Sequence, residues 1–259
     1  MRLMKQAKQT KVYIYGKHAV TEALEHSSRV VKKVLLSPRI DFTHVRELAK
    51  RVGVPVEPLD PRKVTSYVEG NAPHQGIVAS IAANEVEVPF DSFLETFIPN
   101  NDTLLVLLGE IQDPHNVGAL IRSCAAFGAS AVLLPTKKQA SVTPAVAKAS
   151  AGMAFRIPLV ATPSIQEAVS ELKKKGVRVY GLAGEESHSI IDEPFRAPTL
   201  LVLGNEGGGL SSAIRKECDL LLSIPMHSRA ESLNVAASGA VAMYAWSLKH
   251  QKALKRKVS

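Results

Sequence analysis

Short apolar runs alternate with amphipathic stretches along the first eighty or so residues. The apolar runs read VYIY, VVKKVLLS, VPVEPL and GIVASIAA, and the intervening stretches HAVTEALEHS and FTHVRELAKRVG space their apolar residues at helical intervals. This alternation predicts a small α/β domain that closes near Ala83. The next segment, NEVEVPFDSFLETFIPNN, is interrupted by Pro89 and Pro99, so it predicts a linker whose middle forms one helical turn.

A second alternation begins at Thr103. The runs TLLVLLGEI, SAVLLP, VRVYGLA, TLLVLG and LLLSIP predict strands, with a helix from Asn116 to Phe127 and a long final helix from about Leu233. Near-continuous apolar strands are typical of a parallel sheet covered on both faces. We therefore expect an N-terminal domain over residues 1–83, a linker over 84–101 and a second α/β domain over 102–259.

Composition excludes several classes of protein. A chain of 259 residues with 46% apolar residues can bury a substantial core, and no apolar run approaches the ~20 residues of a membrane span. The N-terminus MRLMKQAKQTK lacks the apolar centre of a signal peptide, which predicts a soluble cytoplasmic protein. The cysteines, Cys124 and Cys218, have no CxxC spacing and are expected to be buried, and the histidines are scattered singly, so neither a disulfide framework nor a metal site is expected.

The positive charge is concentrated at the N-terminus. Residues 1–52 carry twelve Lys and Arg against four Asp and Glu, whereas the rest of the chain carries twenty of each, so the net charge of +8 lies entirely in the first segment. The C-terminal KHQKALKRK repeats the basic pattern. This asymmetry fits either a polyanionic partner, nucleic acid first, or a basic surface kept for solubility.

Three loops that follow predicted strands contain the candidate chemistry. They are GEIQDPHNVGALIR at 109–122, GNEGGGL at 204–210 and IPMHSRAESLNVAASG at 224–239, and ligands of open α/β sheets settle at such strand ends. GNEGGGL matches neither the GxGxxG dinucleotide fingerprint nor a Walker loop. From the residues alone, structural roles remain open: Asn116 and Ser232 could cap helices, Glu206 could sit on a tight turn, and Arg122 could be a surface cation.

The same segments carry a family resemblance. DPHNVGALIRSCAAFG, LVLGNEGGGL and IPMHSRAESLNVAASGAVAMYAW resemble the three signature segments of the SpoU/TrmH class of SPOUT RNA methyltransferases. YGKHAVTEAL and HQGIVA resemble the N-terminal RNA-binding domain of the members that act on ribosomal RNA. The resemblance implies a C-terminal α/β trefoil-knot domain with a parallel sheet, a small N-terminal α/β RNA-binding domain, and a homodimer that needs neither a metal nor a membrane.

The resemblance also implies roles for individual residues. The glycine loop would hold S-adenosyl-L-methionine, and the positions matching the cofactor site are Leu203, Gly204, Gly207, Ile224, Met226 and Leu233. The positions matching the catalytic site are Asn116, Arg122, Glu206, Ser232 and Asn234. Members of this class are proposed to use the arginine as a base, but a charged guanidinium accepts no proton, so anchoring of an RNA phosphate suits it better. Asn116 is expected to share a helix face with Arg122 and to orient either that arginine or the ribose.

The expected activity is transfer of a methyl group from S-adenosyl-L-methionine to a ribose 2′-hydroxyl of RNA. A guanosine of large-subunit ribosomal RNA is the expected target. The same chemistry on transfer RNA is the nearest alternative, and a non-catalytic RNA-binding assembly factor is the alternative from another class. A nucleotide-dependent oxidoreductase is disfavoured because the dinucleotide fingerprint is absent.

Overall fold

The chain folds into two compact units. The structure, a computed structural model, describes residues 11–68, 72–137, 139, 142–184 and 188–254. The described residues within Met1–Glu87 and Val142–Arg156 form one unit, here called the N-terminal unit, and those within Val88–Ser141 and Ile157–Ser259 form the C-terminal unit. Residues 1–10, with their predicted lack of a signal peptide, and the end of the basic C-terminal segment lie outside the described residues.

The N-terminal unit is a four-stranded sheet packed against helices. Its first elements in chain order are β1 Lys11–Tyr15, α1 Lys17–His26, β2 Val31–Leu36, α2 Thr43–Arg51, β3 Val56–Pro58 and β4 Ile77–Ala82, with 3-10 turns at Ser28–Val30, Pro61–Ser66 and Ala83–Glu85. The strand order is β1-β4-β2-β3. β4 is antiparallel to both of its neighbours, whereas β2 and β3 run parallel. The α/β domain predicted from the alternating pattern is thus present.

The C-terminal unit is built on the larger, mainly parallel sheet. The remaining elements of the chain are β5 Glu87–Pro89, α3 Phe90–Thr96, β6 Leu104–Leu108, α4 Pro114–Ala126, β7 Ala131–Pro135, α5 Pro144–Ala149, β8 Leu159–Thr162, α6 Ile165–Lys174, β9 Arg178–Leu182, β10 Thr199–Leu203, α7 Ser212–Glu217, β11 Leu220–Leu222 and α8 Val235–Lys249, with a 3-10 turn at Met153–Phe155. The strand order is β11-β9-β10-β6-β7-β8-β5, and the pairs from β11 to β8 are all parallel. The sheet predicted from the apolar strands is confirmed.

The middle of this sheet is fully buried. Every residue of β6 and of β10 is inaccessible or nearly so, because these two strands lie side by side with apolar side chains on both faces. Burial on both faces explains why the two strands read as continuous apolar runs rather than as alternating patterns. Their carboxyl ends, at Leu108 and Leu203, are paired in register, so the loops that follow them begin next to each other.

The segment Val142–Arg156 groups with the N-terminal unit, although the sequence pattern assigns it to the second domain. Its Ala147 and Phe155 are buried in the apolar core formed with α1, α2 and the four-stranded sheet. The Ser27 hydroxyl also donates a hydrogen bond of 2.9 Å to the Phe155 carbonyl oxygen. Apolar residues far apart in sequence therefore build this unit. The domain limits expected from the sequence stay a prediction.

Several predicted elements differ in detail. The linker helix α3 is seven residues long rather than one turn. Cys124 is buried as expected, whereas Cys218 is only partly buried, and burial raises the pKa of the Cys218 thiol to about 11. None of the described helices is both long enough and apolar enough to span a bilayer.

Candidate functional site

The glycine loop after β10 is closed by its own asparagine. Asn205 and Gly209 exchange two backbone hydrogen bonds of 3.1 Å, and the Asn205 side-chain oxygen accepts from the backbone N–H groups of Gly207 at 3.0 Å and Gly208 at 2.6 Å. The asparagine side chain thus substitutes for a backbone turn partner. Sequence reasoning did not assign this role to Asn205, although asparagine is a residue type whose side chain bonds backbone N–H groups a few residues on.

Two glycines allow backbone segments to touch at the start of these loops. A Cβ atom on Gly204 would lie 2.1 Å from the carbonyl carbon of Gly209, and one on Gly109 would lie 2.6 Å from the carbonyl oxygen of Leu203. The Gly109 N–H donates to that same oxygen at 2.7 Å. Glycine is therefore required at both positions by close backbone contact, which explains a glycine-rich loop that follows no phosphate-binding spacing.

A chain of side-chain hydrogen bonds joins the three loops. The Asn116 amide nitrogen donates to Glu206 Oε1 at 3.1 Å, and the Asn234 amide nitrogen donates to Asn116 Oδ1 at 3.1 Å. The Asp113 backbone N–H also donates to Glu206 Oε1, at 3.3 Å. We call Glu206, Asn116 and Asn234 the amide relay. It brings together three of the five predicted catalytic residues, one from each loop.

The amide relay fixes the orientation of each amide group. Asn234 Oδ1 accepts from the Ala236 and Ala237 backbone N–H groups at 2.9 and 3.3 Å, so its nitrogen must face Asn116. Asn116 then presents its oxygen to Asn234 and its nitrogen to Glu206, which leaves the carboxylate as the terminal acceptor. The chain of bonds thus ends on a carboxylate, which in its ionised form accepts hydrogen bonds and donates none.

The relay favours the ionised form of Glu206. Partial burial raises the pKa of this carboxyl group, but the hydrogen bond from Asn116 and backbone N–H donors at Glu206, Asp113 and Gln112 outweigh it, and the net pKa is lowered from its ordinary value. The side chain is exposed, so solvent also stabilises the charge. Near neutral pH the site therefore carries a fixed carboxylate at the mouth of the glycine loop.

A cavity of about 630 Å³ lies between the glycine loop and the loop after β11. Such a volume is within the range of sites for small ligands and cofactors. The cavity is lined by all six residues predicted for the cofactor, namely Leu203, Gly204, Gly207, Ile224, Met226 and Leu233. Glu206, Ser232 and Asn234 line it as well. All six predicted cofactor residues and three of the five predicted catalytic residues therefore border one space at the carboxyl edge of the sheet, whereas Asn116 and Arg122 do not line it.

Arg122 lies outside the amide relay. It is exposed on α4, and among the described residues none forms a hydrogen bond or ion pair with its side chain. The expectation that Asn116 shares a helix face with Arg122 is wrong. Six residues turn an α-helix by about 600°, which leaves the two side chains about 120° apart, and Asn116 bonds to Glu206 and Asn234 instead. Arg122 is available to a group from outside the chain.

The alternative structural roles for Asn116 and Ser232 are also wrong. The side chain of Asp113 caps α4 by accepting from the His115 N–H at 2.8 Å, and Pro114 opens the helix, so α4 begins two residues before the predicted start. Asn234, not Ser232, caps α8, which begins at Val235 rather than near Leu233. These caps leave the Asn116 side chain to the relay.

Close helix packing holds the relay together. A Cβ atom on Gly239 would lie 2.3 Å from a methyl carbon of Leu120 and 2.9 Å from one of Leu203. The small residue thus lets α8 approach both α4 and the end of β10, which confirms the reading of the AASGAVA run as a close-packing segment. Since Asn116 lies in the first turn of α4 and Asn234 caps α8, this contact sets the distance between two members of the relay.

Potential metal ligands cluster at one place in the part of the chain that the structure describes. Glu22, Glu25 and His26 lie close together in the N-terminal unit, where Glu22 is also paired with Arg156. None of the three belongs to the predicted site. The expected absence of a metal stays a prediction.

Comparison with known families matches both parts of the chain. The family described as SpoU rRNA Methylase matches residues 103–244, which include all three loops and the cavity. The chain belongs to the SpoU rRNA methylase family. A second family, described as RNA 2'-O ribose methyltransferase substrate binding, matches residues 13–87 of this SpoU family member.

Curated relatives cover nearly the whole chain. The 23S rRNA (guanosine-2'-O-)-methyltransferase RlmB of Pseudomonas putida is 35% identical over 89% of this chain and 94% of its own length. RlmB of Xanthomonas campestris is 38% identical over 90% and 94%. The putative TrmH family tRNA/rRNA methyltransferase YacO of Bacillus subtilis is 30% identical over 90% and 93%.

Solved structures show the same fold. The SpoU methyltransferase AviRb from Streptomyces viridochromogenes is 27% identical and superposes with a TM-score of 0.78 over 93% of this chain and 90% of that one. The same enzyme in complex with the cofactor AdoMet superposes with a TM-score of 0.76 over 95% and 92%, again at 27% identity. The SpoU fold expected from the three segments is confirmed, and the trefoil knot stays a prediction.

Proposed function

We propose that this chain is an S-adenosyl-L-methionine-dependent 2′-O-ribose methyltransferase whose substrate is a guanosine of large-subunit ribosomal RNA. The observation that carries the proposal is the amide relay, Glu206–Asn116–Asn234, at the edge of the glycine-loop cavity. RlmB relatives that span about nine-tenths of the chain support the substrate. A decayed binding protein would have no reason to keep an ionised carboxylate ordered at this position.

The cavity fits the cofactor. Its volume of about 630 Å³ suits a ligand of that size, and the close backbone contacts at Gly204 shape a loop that only glycine permits. We assign Leu203, Gly204, Gly207, Ile224, Met226 and Leu233 to cofactor binding. The AdoMet complex of AviRb supports the assignment. When bound, the cofactor supplies an electrophilic methyl group.

Positioning is the main task of the catalytic residues. A ribose hydroxyl is a weak nucleophile at neutral pH, and holding it in line with the methyl group removes much of the barrier, so that its proton passes to solvent late in the transfer. Glu206, kept ionised by the relay, accepts a hydrogen bond from the nucleotide. Ser232 and Asn234 complete the polar border of the cavity. Arg122, exposed on α4, anchors an RNA phosphate beside the target ribose, a role that suits a permanently charged planar guanidinium.

The N-terminal unit supplies RNA affinity in this proposal. The match of residues 13–87 to a substrate-binding family and the N-terminal excess of positive charge both support this role. Binding that depends on phosphate contacts releases counterions, so affinity falls steeply as salt rises. An RNA affinity that did not change between low and moderate salt would contradict the assignment.

A homodimer is part of the proposal. Along α8, Val241, Tyr244 and Leu248 are 40%, 51% and 51% exposed, and together with Ala237 they follow helical spacing on one face. An exposed apolar stripe of this kind is typical of a protein–protein interface. We assign this stripe to contact with a second copy of the chain, because it lies on α8, the helix whose N-cap residue Asn234 belongs to the amide relay.

Ribosomal RNA is favoured over transfer RNA because the relatives named for 23S rRNA match nearly the whole chain, as does the relative named for tRNA/rRNA, whereas the structures named for tRNA alone match about two thirds of it or less. The solved structure described as addressing 2-OH methylation of C/U34 on tRNA covers 59% of this chain, and the tRNA modifying enzyme of A. aeolicus covers 65%. The RlmB relatives cover 89–90%. The cytoplasm is the compartment we assign, because ribosomal RNA is modified where ribosomes assemble.

The position of the methyl group tests the proposal. Ribosomal RNA that lacks 2′-O-methyl groups would be incubated with the protein and cofactor and then hydrolysed in alkali. A 2′-O-methyl group blocks cleavage of the adjacent phosphodiester, so one alkali-resistant dinucleotide with a 5′ guanosine is expected. Methylation of a base would leave every linkage cleavable and would contradict the proposed reaction.

A further inference from the structure

Both acidic and basic side chains line the cavity. Among the described residues that line it, Glu206 and Glu231 are acidic and Arg215 is basic. S-adenosyl-L-methionine carries two positive groups, the sulfonium and the α-ammonium, and one negative group, the α-carboxylate. The charges of these three described side chains are opposite in sign to the three charged groups of the cofactor.

One acid of the set already has a structural role. Glu206 receives hydrogen bonds from Asn116 and from the Asp113 backbone in the amide relay. Arg215 and Glu231 line the same cavity outside the relay. Their charges are the ones that a zwitterionic amino-acid group requires.

Arg215 is held in place by a short helix. It lies half-buried on α7, directly after the glycine loop, and its backbone N–H donates to the Ser211 carbonyl oxygen at 2.9 Å. The Ser211 side chain caps this helix by accepting from the Ile214 N–H. Ile214 itself is buried in the core below the sheet edge. The arginine thus projects from an anchored segment rather than from a free loop.

Glu231 lines the cavity from a different segment of the chain. It lies in the loop after β11, next to Ser232, and is exposed. Among the described residues, none forms a hydrogen bond or ion pair with its carboxylate. Its charge is therefore available to a ligand in the cavity.

We propose that Arg215 binds the α-carboxylate of S-adenosyl-L-methionine and that Glu231 binds its α-ammonium group. The inference rests on the proposed function, because it concerns the same cavity and the same cofactor. A guanidinium and a carboxylate form paired, charge-assisted hydrogen bonds, which give orientation as well as affinity. The two residues thereby select cofactors that carry an intact amino-acid group.

Calorimetry with three ligands tests the assignment on the full chain. The ligands are S-adenosyl-L-methionine, its decarboxylated form, which lacks only the carboxylate, and methylthioadenosine, which lacks the whole amino-acid group. Arg215→Met should weaken binding of the complete cofactor about tenfold, as expected for loss of one charge-assisted contact at a half-exposed site. It should leave the affinities for the decarboxylated form and for methylthioadenosine within about twofold of the parent values.

Matched variants separate a ligand contact from a structural effect. Lys216→Met removes a neighbouring charge on α7 that does not line the cavity, and it should leave all three affinities unchanged. Arg215→Lys should recover part of the lost affinity, because it restores the charge without the paired geometry. Glu231→Gln should weaken the complete and decarboxylated cofactors but not methylthioadenosine.

Two results would overturn the inference. An equal loss of affinity for methylthioadenosine and the complete cofactor in Arg215→Met would show that the arginine only shapes the cavity. Unchanged affinities for all three ligands would show that it binds none of them. Failure of the parent protein to bind any of the three would instead overturn the cofactor assignment of the proposed function.

Discussion

Asn116 donates a hydrogen bond of 3.1 Å to Glu206, a residue 90 positions further along the chain. Asn116 lies in the first turn of α4, which follows β6, and Glu206 lies in the loop after β10; β6 and β10 are neighbouring parallel strands. The bond orients a carboxylate at the cavity and leaves Asn116 Oδ1 to receive Asn234. The geometry of the site therefore depends on a neutral amide between the other two residues.

Replacing Asn116 by alanine should reduce methyl transfer about a hundredfold, because a misplaced nucleotide contact costs about that much in rate. The fold should persist, since α4 is capped by Asp113 and not by Asn116. Single-turnover rates with ribosomal RNA would measure the effect. Asn101→Ala, at an exposed turn, is the control and should be fully active. Equal rates for Asn116→Ala and the parent would remove the relay from the mechanism.

Arg122→Ala should abolish most methyl transfer while cofactor affinity survives. The side chain is exposed and belongs neither to the relay nor to the cavity lining, so its loss should affect RNA positioning alone. Transfer of labelled methyl groups and calorimetry with the cofactor measure the two properties separately. Arg122→Lys should be intermediate because it keeps the charge but not the planar fork. Comparable turnover in Arg122→Ala would refute the anchoring role.

The glycines of the loop should respond differently to substitution. Gly204→Ala places a methyl group 2.1 Å from the Gly209 backbone, so we expect a loss of about 3 kcal/mol in the free energy of unfolding and loss of cofactor binding. At Gly207 an added Cβ meets only Asn205 Oδ1, at 3.9 Å. Gly207→Val should therefore keep the parent unfolding free energy yet weaken cofactor binding by crowding the cavity. Calorimetry would find unchanged affinity in Gly207→Val if the cofactor lies elsewhere.

The proposed dimer should separate when charge is placed on the exposed face of α8. Val241→Glu combined with Leu248→Glu puts two carboxylates on a face that is 40% and 51% exposed at these positions. Light scattering should give the mass of a dimer for the parent and of a monomer for the double variant. Gln166→Glu, an exposed position on α6, should leave the mass unchanged. A monomeric parent would contradict the assignment.

The stability of the site should depend on pH through Glu206. The pKa of this carboxyl group is lowered in the folded state from an ordinary value of 4.5. Its contribution is therefore fully present above about pH 4.5, and it is lost as the pH falls through the lowered folded-state value. The difference in unfolding free energy between the parent and Glu206→Gln should be constant near neutrality and shift below that range in favour of the variant. A difference independent of pH would contradict the lowered pKa.

Much of the C-terminal unit follows from its apolar pattern. β6 and β10 are buried on both faces, and such strands produce continuous apolar runs that predict a parallel sheet directly. The family segments then identify the loops at the strand ends. By contrast, the joining of Val142–Arg156 to the N-terminal unit depends on where Ala147 and Phe155 find an apolar core, which no local pattern encodes.

Residues of the site were predicted from the sequence, but the hydrogen bonds that join them were not. Asn116, Glu206 and Asn234 were expected as catalytic residues, yet the bonds between them arise from strand order and from the close approach of α8 at Gly239. The pairing of Asn116 with Arg122 was wrong because side chains six residues apart on an α-helix point about 120° away from each other. Asparagine is a residue type that closes such loops, but the sequence did not show which backbone N–H groups the Asn205 side chain would bind.

The most direct test of the central claim is the transfer of tritiated methyl from S-adenosyl-L-methionine to RNA. Ribosomal RNA free of its own 2′-O-methyl groups and unmodified transfer RNA would be tested in parallel, and the labelled nucleoside would be mapped. The account predicts label on the ribose of one guanosine in large-subunit ribosomal RNA. Label on transfer RNA alone would contradict the proposed substrate, and no label on either RNA from a protein that binds the cofactor would contradict the proposed catalysis.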